Sequence, residues 1–374
     1  MNVPIVIAGG GLAGAATACL LARAGKKVLL LEREVRPVDK ICGEFISVEA
    51  QGVLAGLGLD LMALGAQPIH RMRLVRGRSC VETNLPFRAL GLSRRTLDEA
   101  LLNLAAAAGA EILRGRTVNG VGSDIPISIS VSGMAAIRTP TLFLATGKHD
   151  VRGGRRDPAR DPEDLVGFKA YFRLTSEQHD ALKGYVELMM WPDGYGGLQL
   201  VEGGRANLCL LTSRSRLQRA GGKWDQLFQD LCQSQPHLAS RMNGAIALTR
   251  RPMSIFRAPF GFVHRPSDQD LPGLFRLGDQ VGVIASFTGD GMSIALHSAA
   301  LAAECYLQGL PSAAYHREVR RDVSRQIGQA SFIYGLMAAE PSQAALMVIA
   351  GLWPGLLRLT ASLTRIASPA PVYG

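Results

Sequence analysis

An apolar segment near the start of the chain runs directly into a cluster of glycines. Pro4 to Ala8 is followed by Gly9-Gly10-Gly11-Leu12-Ala13-Gly14, then by an alanine-rich stretch and a second apolar run that ends at Glu32. This order predicts a strand, a tight turn, a helix and a second, parallel strand. Such a unit restricts the fold to the α/β class with a Rossmann-type sheet.

The spacing of the glycines predicts what this turn binds. Gly9 permits a tight turn, Gly11 lets the backbone approach a pyrophosphate, and Gly14 lets the helix pack closely on the strand. The helix start supplies unpaired N–H groups for the phosphates, and Glu32 can accept hydrogen bonds from a ribose. A chance glycine-rich turn would not explain the complete order of strand, helix and strand, so we expect dinucleotide binding.

A second glycine-rich segment lies far along the chain. A predicted strand over 274–277 ends at Gly278-Asp279, and residues 288–291 open a helix predicted to end at Leu307. Asp279 can hydrogen-bond a ribityl hydroxyl, and the helix N–H groups can stabilise an anionic reduced flavin. Taken alone, the segment is equally typical of a glycine turn with a helix cap. Together with the N-terminal turn it predicts FAD, since in a simple NAD dehydrogenase the chain does not usually need to return to the nucleotide-binding domain so late in the sequence.

This second segment carries a family resemblance. Residues 278–292 resemble G-D-A-A-G-x-x-x-P-x-T-G-E-G-I of geranylgeranyl-reductase-like flavoproteins, which belong to the p-hydroxybenzoate-hydroxylase-type FAD group. Residues 92–98 resemble the group's R-x-x-F/L-D helix start, which implies that Arg94 lies near the FAD pyrophosphate. Residues 145–152 resemble its A-D/T-G segment beside the cofactor. Cys42-Gly43-Glu44 resembles a turn that approaches the flavin ring in the reductases, and it is also similar to the G-E-S turn of flavin-dependent halogenases.

The resemblance is specific for FAD and much less specific for the reaction. Where the family has a proline beside the flavin, this chain has Ser286. The reductases' Y-x-W-x-F-P strand corresponds to residues 195–200, where tryptophan and proline are lost and two glycines are expected to enlarge the substrate space. The three tryptophans, Trp191, Trp224 and Trp353, cannot form the W-x-W-x-I-P motif of the halogenases, so halogenation is disfavoured.

The segments together predict an α/β fold of three parts. We expect a split Rossmann-type FAD-binding domain over residues 1–160 and 251–310, an antiparallel-sheet substrate domain over residues 161–250, and C-terminal helices over residues 311–374. The polar, arginine-rich stretch 150–164 is interpreted as a crossing between the domains.

The candidate site residues fall into two groups. Catalysis is assigned to residues expected near the flavin and the substrate, namely Cys42, Glu44 and Tyr195. The alternatives for these three are a small residue in a tight turn, a loop cap and a core tyrosine with a bonded hydroxyl. Cofactor binding is assigned to the motif residues and their neighbours: Gly9, Gly11, Ala13, Gly14, Glu32, Arg33, Cys42, Gly43, Arg94, Val118, Thr146, Gly147, Gly278, Asp279, Gly289, Asp290, Gly291 and Met292. The histidines show no metal-ligand spacing, so no metal is expected.

Hydroxylation is the favoured reaction. FAD would take electrons from NAD(P)H and use O₂ to hydroxylate a small, apolar substrate, with an aromatic one favoured. The resemblance also implies an alternative, the reduction of a C=C bond by an FAD-dependent reductase. A flavin-binding electron-transfer protein whose C-terminal helices dock a partner is a third, non-enzymatic interpretation.

Composition limits the partners and the surroundings. The net charge of +10 suits an anionic cofactor, an acidic partner or a membrane surface, but the basic residues are mostly scattered, so nucleic-acid binding is not expected. Six widely spaced cysteines without a CxxC pair predict reduced thiols and a cytoplasmic location. No signal peptide is expected, because its removal would destroy the first strand.

A peripheral membrane contact is compatible with the sequence. No apolar run reaches membrane-spanning length. However, Trp353, Leu356, Leu357 and Leu359 lie beside Arg358 and Arg365 in the sequence, a combination typical of interfacial helices. The oligomeric state is not predicted.

Overall fold

The computed structural model describes residues 2–156 and 164–366. Along these residues the strands are β1 (Ile5–Ala8), β2 (Leu29–Glu32), β3 (Phe45–Ile46), β4 (Gln67–Arg76), β5 (Ser79–Gly91), β6 (Glu111–Arg114), β7 (Val118–Val121), β8 (Ile127–Val131), β9 (Ile137–Thr139), β10 (Thr141–Leu144), β11 (Leu165–Arg173), β12 (Tyr185–Trp191), β13 (Gly194–Val201), β14 (Arg205–Ser213), β15 (Ile246–Ala247), β16 (Met253–Phe256) and β17 (Leu274–Arg276). The helices are α1 (Leu12–Arg23), α2 (Val48–Gly56), α3 (Arg94–Ala107), α4 (Ser176–Leu182), α5 (Arg214–Arg219), α6 (Trp224–Ser234), α7 (Pro236–Met242), α8 (Gly291–Leu307), α9 (Ser312–Ala338), α10 (Glu340–Leu352) and α11 (Gly355–Leu363).

A five-stranded parallel sheet forms the frame around the N-terminal turn, in the order β17, β10, β1, β2 and β6. β1, β2 and β10 are short apolar runs buried on both faces, as expected for a parallel sheet covered on each side. Helices α1, α3 and α8 cover one face, and a small sheet of β7, β8 and β9 covers the other. Because β17 pairs beside β10, the chain returns to this sheet late in the sequence, and the predicted α/β fold with a split Rossmann-type sheet is confirmed.

A larger sheet of nine strands lies beside this frame. Its order is β15, β11, β14, β13, β12, β4, β5 and β3, with β16 also pairing to β11. The pairs are antiparallel except for β12 with β4. The structure differs here from the predicted domain bounds, since residues 67–91 were expected in the FAD-binding domain but form β4 and β5 of this sheet. The physical reason is that β4 pairs with β12, which lies more than 100 residues away in the sequence, and no local pattern determines such a pairing.

The C-terminal helices close one side of the large sheet. α9 packs against α8, while α10 and α11 pack against β5. Along the described residues no single helix is both long and apolar enough to cross a membrane. Only α9 and α10 taken together meet those criteria, and they are bent by 105° at their junction. The predicted helical region is therefore observed up to residue 366, while residues 367–374 and part of the predicted crossing, 157–163, lie outside the described residues.

Candidate functional site

A cavity of about 1510 Å³ lies where the parallel sheet, the large sheet and the C-terminal helices meet. Its wall runs from the N-terminal glycine turn to the segment that opens α8. A single drug-sized ligand typically occupies a pocket of about 300–1,000 Å³. The cavity is therefore large enough for a long cofactor and a substrate side by side.

The glycine turn forms the first end of the cavity. Gly9 has φ +107°, and a side chain there would overlap the carbonyl oxygen of Ala145. A side chain at Gly14 would overlap the carbonyl of Gly9, so this glycine serves the close packing of α1 on β1. At Gly11 an added Cβ would instead meet only cationic groups, Nη2 of Arg94 at 3.4 Å and Nζ of Lys40 at 3.7 Å. No side chain caps the first turn of α1, so its N–H groups can bind an anion.

Two cations converge on Gly11 because one carboxylate holds them. Asp98 accepts two hydrogen bonds from Arg94, at 2.7 and 2.9 Å, and one from Lys40 at 2.7 Å. Asp98 is buried, yet Arg94 and Lys40 hold the pKa of its carboxyl below the usual value. With two cations and one carboxylate the cluster has a net positive charge, which suits a pyrophosphate. The predicted position of Arg94 near the pyrophosphate fits this geometry.

The strand tip after β2 forms the region expected for adenosine. Glu32 is buried, and its carboxylate accepts N–H bonds from Gly10 at 2.6 Å and from Glu34 at 2.8 Å. Arg33 and Val118 line the same part of the cavity. The acid is thus held in place by the backbone, beside the glycine turn, where a ribose hydroxyl can reach it.

Two loops meet at the middle of the cavity. Gln280 donates hydrogen bonds to the carbonyls of Gly147 at 2.8 Å and His149 at 3.0 Å, which ties the loop after β10 to the turn after β17. Asp279 Oδ2 lies 4.0 Å from the Cβ position of Gly147. Asp279, Gly147 and Thr146 all line the cavity, so the residue predicted for the ribityl part of FAD lies near the segment predicted to flank the cofactor.

The start of α8 forms the far end of the cavity. Gly289 has φ +74°, and the ring of Phe45 occupies the space where a side chain would lie. Gly291 has open space around its Cβ position, and no side chain caps this helix. Unpaired N–H groups at a helix start favour negative charge, which is what the reduced flavin ring carries. These features fit a flavin at this end.

Asp290 differs from its neighbours, because it does not line the cavity. Its side chain is buried and accepts a hydrogen bond of 2.6 Å from Arg365, just beyond α11. Burial raises the pKa of Asp290 to about 7, although Arg365 acts in the opposite direction. Arg365 itself is nearly buried, so it is not available to lipid headgroups as the sequence suggested.

The turn of Cys42, Gly43 and Glu44 is held from the large sheet by buried polar side chains. Lys169 Nζ lies 2.5 Å from the Glu44 carboxylate, and the Tyr171 hydroxyl donates to it at 2.8 Å. Both partners and Glu44 are inaccessible or nearly so, and burial raises the pKa of Glu44 above its usual value. Glu44 has φ +61°, which this set of bonds maintains. Glu44 therefore acts as a positioning residue for the turn.

Two amides complete this attachment. Asn207 donates to the carbonyls of Cys42 at 3.2 Å and Gly43 at 2.9 Å, and Gln199 donates to the carbonyl of Glu44 at 2.8 Å. Sequence reasoning missed the four sheet residues that hold the turn: Lys169, Tyr171, Gln199 and Asn207. The available signal was a lysine inside the apolar run of β11, which is uncommon unless the charge is paired.

The remaining catalytic candidates lie on the cavity wall with bonded polar groups. The Tyr195 hydroxyl shares a hydrogen bond of 2.5 Å with Ser286, and burial raises its pKa. Cys42 Sγ accepts a hydrogen bond from the Glu44 N–H at 3.3 Å. Both residues therefore match their non-catalytic alternatives, a core tyrosine and a small residue in a tight turn. Both also line the cavity beside α8.

The two glycines of β13 differ in what they leave open. A Cβ at Gly196 would be 2.8 Å from the ring of Trp191, which fills that side of the sheet. Gly197 points to the opposite face, lines the cavity, and has only Cys209 O, at 3.9 Å, near its Cβ position. The expected enlargement is therefore present at Gly197 alone.

An apolar wall continues from Gly197 away from the flavin end. On the sheet side it consists of Leu74, Leu188 and Met190, and on the helix side of Ile333, Leu346 and Leu357. Cys209 also lines the cavity, and burial raises the pKa of its thiol to about 12. This part of the cavity can bind an apolar molecule and exclude water.

The site prediction can be compared with the cavity residue by residue. Of the predicted cofactor and catalytic residues, all line the cavity except Gly14 and Asp290, which lie behind its wall. The residues at the two ends of this wall fit FAD, with a cationic pyrophosphate region at Gly11 and two uncapped helix starts. When bound, FAD would supply two-electron transfer at the end beside α8.

Comparison with known proteins gives independent support for FAD binding. Residues 2–125 match the model of the family described as FAD binding domain. The menaquinone reductase of Mycobacterium tuberculosis is 25% identical over 322 residues, which cover 81% of this chain and 76% of the relative. The squalene monooxygenase of Mus musculus is 34% identical over 85 residues, 22% of this chain and 15% of the relative. Among solved structures, the flavin-dependent brominase Bmp2 superposes with a TM-score of 0.78 at 17% identity, covering 97% of this chain and 93% of Bmp2.

Proposed function

We propose that this chain, whose residues 2–125 match the family described as FAD binding domain, is an FAD-dependent monooxygenase acting on a large apolar substrate. In the balanced reaction, the substrate, O₂, NAD(P)H and one proton give the oxygenated substrate, water and NAD(P)⁺, so that one oxygen atom enters the substrate and the other enters water. The apolar wall between the large sheet and α9–α11 is the observation that carries this proposal.

The apolar wall sets the substrate class. Leu74, Leu188 and Met190 face Leu346 and Leu357 across the cavity, and the turn 42–44 closes it toward the flavin end. Burial of apolar surface contributes about 25 cal/mol per Å², so a long hydrocarbon would gain most from this wall. A dry site also protects reactive oxygen chemistry from water. The apolar side chains of this wall offer contact area rather than directed hydrogen bonds.

The side chains beside Gly197 include no strong proton donor for a C=C reduction among the described residues. Reduction of a C=C bond places a hydride on one carbon and a proton on its neighbour, so it needs an acid near the substrate. The hydroxyl of Tyr195 and the thiol of Cys209 both have raised pKa values, which makes them weak acids. Asp290, with a pKa of about 7, lies behind the wall. Of the acids on the wall, Glu44 has a pKa raised by burial, but its carboxylate is taken up by Lys169 and Tyr171.

A C=C reductase is the second candidate. The match to the menaquinone reductase of Mycobacterium tuberculosis covers 81% of this chain, whereas the match to the squalene monooxygenase of Mus musculus covers 22%. Likeness across the substrate-binding part therefore favours reduction. Both relatives are named for substrates of high apolar content, which agrees with the cavity wall.

One experiment separates the two candidates. FAD-loaded protein is incubated with NADPH and either squalene or menaquinone in detergent, once under oxygen-18 gas and once without oxygen, and the products are weighed by mass spectrometry. A product with one labelled oxygen atom, formed only with oxygen present, supports the monooxygenase. A product that still carries two extra hydrogens after the quinone ring has been reoxidised in air, and that forms in the absence of oxygen, has a saturated C=C bond; it supports the reductase and contradicts our proposal.

A further inference from the structure

Exposed apolar side chains are concentrated in the C-terminal helices. Of the 17 exposed large hydrophobic residues among those described, eight lie between residues 332 and 363. We call this group the C-terminal apolar surface. Leu352 is 83% exposed, Phe332 70%, Val348 62% and Trp353 56%. Exposed apolar surface of this density marks an interaction site rather than ordinary surface.

The cavity opens through this surface. Phe332, Leu336 and Leu363 are exposed to solvent and also line the cavity. Inward from these three residues the wall stays apolar, through Ile333 and Leu357. An apolar path therefore leads from the outside of the protein to the space beside Gly197.

Basic residues flank the same surface along α9. Arg317, Arg321 and Arg325 are exposed and four residues apart, so they share one helix face with Phe332 and Leu336 further along. Residues 332–363 contain one basic residue, Arg358, and one acidic residue, Glu340, so the net charge of this segment is zero. An uncharged apolar region beside a basic one is complementary to hydrocarbon beside anionic headgroups.

We propose that the C-terminal apolar surface docks on an anionic lipid bilayer, with the cavity mouth at Phe332, Leu336 and Leu363 facing the lipid. The inner face of α9, with Val319, Val323 and Ile327, is buried against the core, so the helix lies on the bilayer and does not cross it. Access of substrate from the bilayer rests on the proposed function, whereas the docking itself does not.

Vesicle binding tests the docking without any turnover. FAD-loaded protein is mixed with sedimentable vesicles of phosphatidylcholine, either alone or with phosphatidylglycerol, in the absence of NAD(P)H and substrate. We expect binding that is stronger with phosphatidylglycerol and weaker at high salt. The double variant L352S/W353S should bind at least about tenfold more weakly, because two apolar side chains are removed from the interface. The control I246S changes an exposed apolar residue on β15, 56% exposed, and should bind as the unchanged protein does.

A second variant tests the basic stripe on α9. R317Q/R325Q should lose roughly fivefold in affinity for each removed charge, and only on vesicles with phosphatidylglycerol. Arg321 is left unchanged because it pairs with Glu318 at 3.5 Å and with Asp322 at 3.6 Å. Both double variants change exposed side chains, and retained FAD absorbance confirms their folding. Equal binding by L352S/W353S and the unchanged protein would overturn the proposal. So would dimers without vesicles that L352S/W353S dissociates, since a second copy would then cover the surface. Neither result bears on whether oxygen enters the product.

Discussion

Two glycines of the N-terminal turn are expected to fail in different ways when a side chain is added. At Gly11 a Cβ points toward Arg94 and Lys40, into the space expected for phosphate, whereas at Gly14 it overlaps the Gly9 carbonyl. Gly11→Val should therefore fold with near-normal stability and lose at least about 100-fold in FAD affinity, a loss of about 2.7 kcal/mol. Gly14→Val should instead lower the free energy of unfolding of the protein without FAD.

Equilibrium dialysis with FAD and urea unfolding of the apoprotein measure the two effects. Gly52→Ala is the matched control, because a Cβ on α2 at this position meets nothing within 4 Å. Stoichiometric FAD in the Gly11→Val protein would contradict the assignment of this turn to the pyrophosphate.

The buried pair of Glu44 and Lys169 gives a second residue-level prediction. Glu44→Gln leaves the Lys169 charge buried with no carboxylate, so the free energy of unfolding should fall by about 3–5 kcal/mol. Lys169→Met alone should be similarly harmful, but the double variant should recover much of the loss, since no buried charge remains. Urea unfolding of the four proteins gives the coupling energy. Additive losses in the double variant would show that Glu44 and Lys169 do not act as a pair.

The sequence motifs predict candidate cofactor residues but not the residues that support them. The glycines and Asp279 are recognisable because phosphate and ribose chemistry fixes their spacing along the chain. Lys169 and Asn207 act on the turn 42–44 from strands more than 120 residues away. Such contacts depend on sheet pairing, which no local pattern determines.

At the level of elements, the two faces of β13 predict different outcomes for neighbouring glycines. Gly197→Leu places a side chain in the cavity, where the Cβ position is 3.9 Å from the nearest neighbour, so folding and FAD content should be retained. Binding of a large apolar probe such as squalene should fall at least about tenfold. Gly196→Leu meets Trp191 on the other face and should lower stability instead. Unchanged squalene binding by Gly197→Leu would place the substrate elsewhere.

The contact between α8 and the end of α11 predicts a pH dependence. The pKa of Asp290 is about 7 in the folded protein and near 3.8 when unfolded, so the folded state binds the extra proton between these values. Its contribution to stability is then present below about pH 4 and is lost as the pH rises to about 7, by at most about 1.4 kcal/mol per pH unit.

The variant Asp290→Asn removes this proton and keeps the side-chain volume. The free energy of unfolding of the unchanged protein, minus that of the variant, should decline between pH 5 and pH 7 and level off above about pH 8. Urea titrations at each pH measure this difference. A difference that stays constant with pH would mean that Asp290 is ionised throughout, held by Arg365.

Elements were easier to predict than their partners. The spacing of apolar residues predicts α8 from Gly291 to Leu307, and the structure has these bounds. No strands are predicted over β4 and β5, whose place in the large sheet follows from the pairing of β4 with β12, far along the chain. Sequence order therefore suggested a domain boundary that the sheet does not follow.

For the whole molecule, the cavity should couple its two halves. Most of the residues predicted to bind FAD lie in turns and helix starts around the parallel sheet, whereas Trp191 lies in the large sheet, Trp224 on α6 and Trp353 beside α10. The turn 42–44 joins the halves through buried bonds to Lys169 and its neighbours. Binding of FAD should therefore stabilise the tryptophan-containing part as much as the parallel sheet itself.

Urea unfolding followed by tryptophan fluorescence and by far-UV circular dichroism tests this coupling. At an FAD concentration 100 times the dissociation constant, both transitions should shift together, and the gain should be about 2.7 kcal/mol. Glu44→Gln should reduce the shift of the fluorescence transition more than that of circular dichroism, because it breaks the link between the halves. If FAD does not shift the fluorescence transition of the unchanged protein, the two sheets unfold independently. The cavity between them would then form only after each has folded.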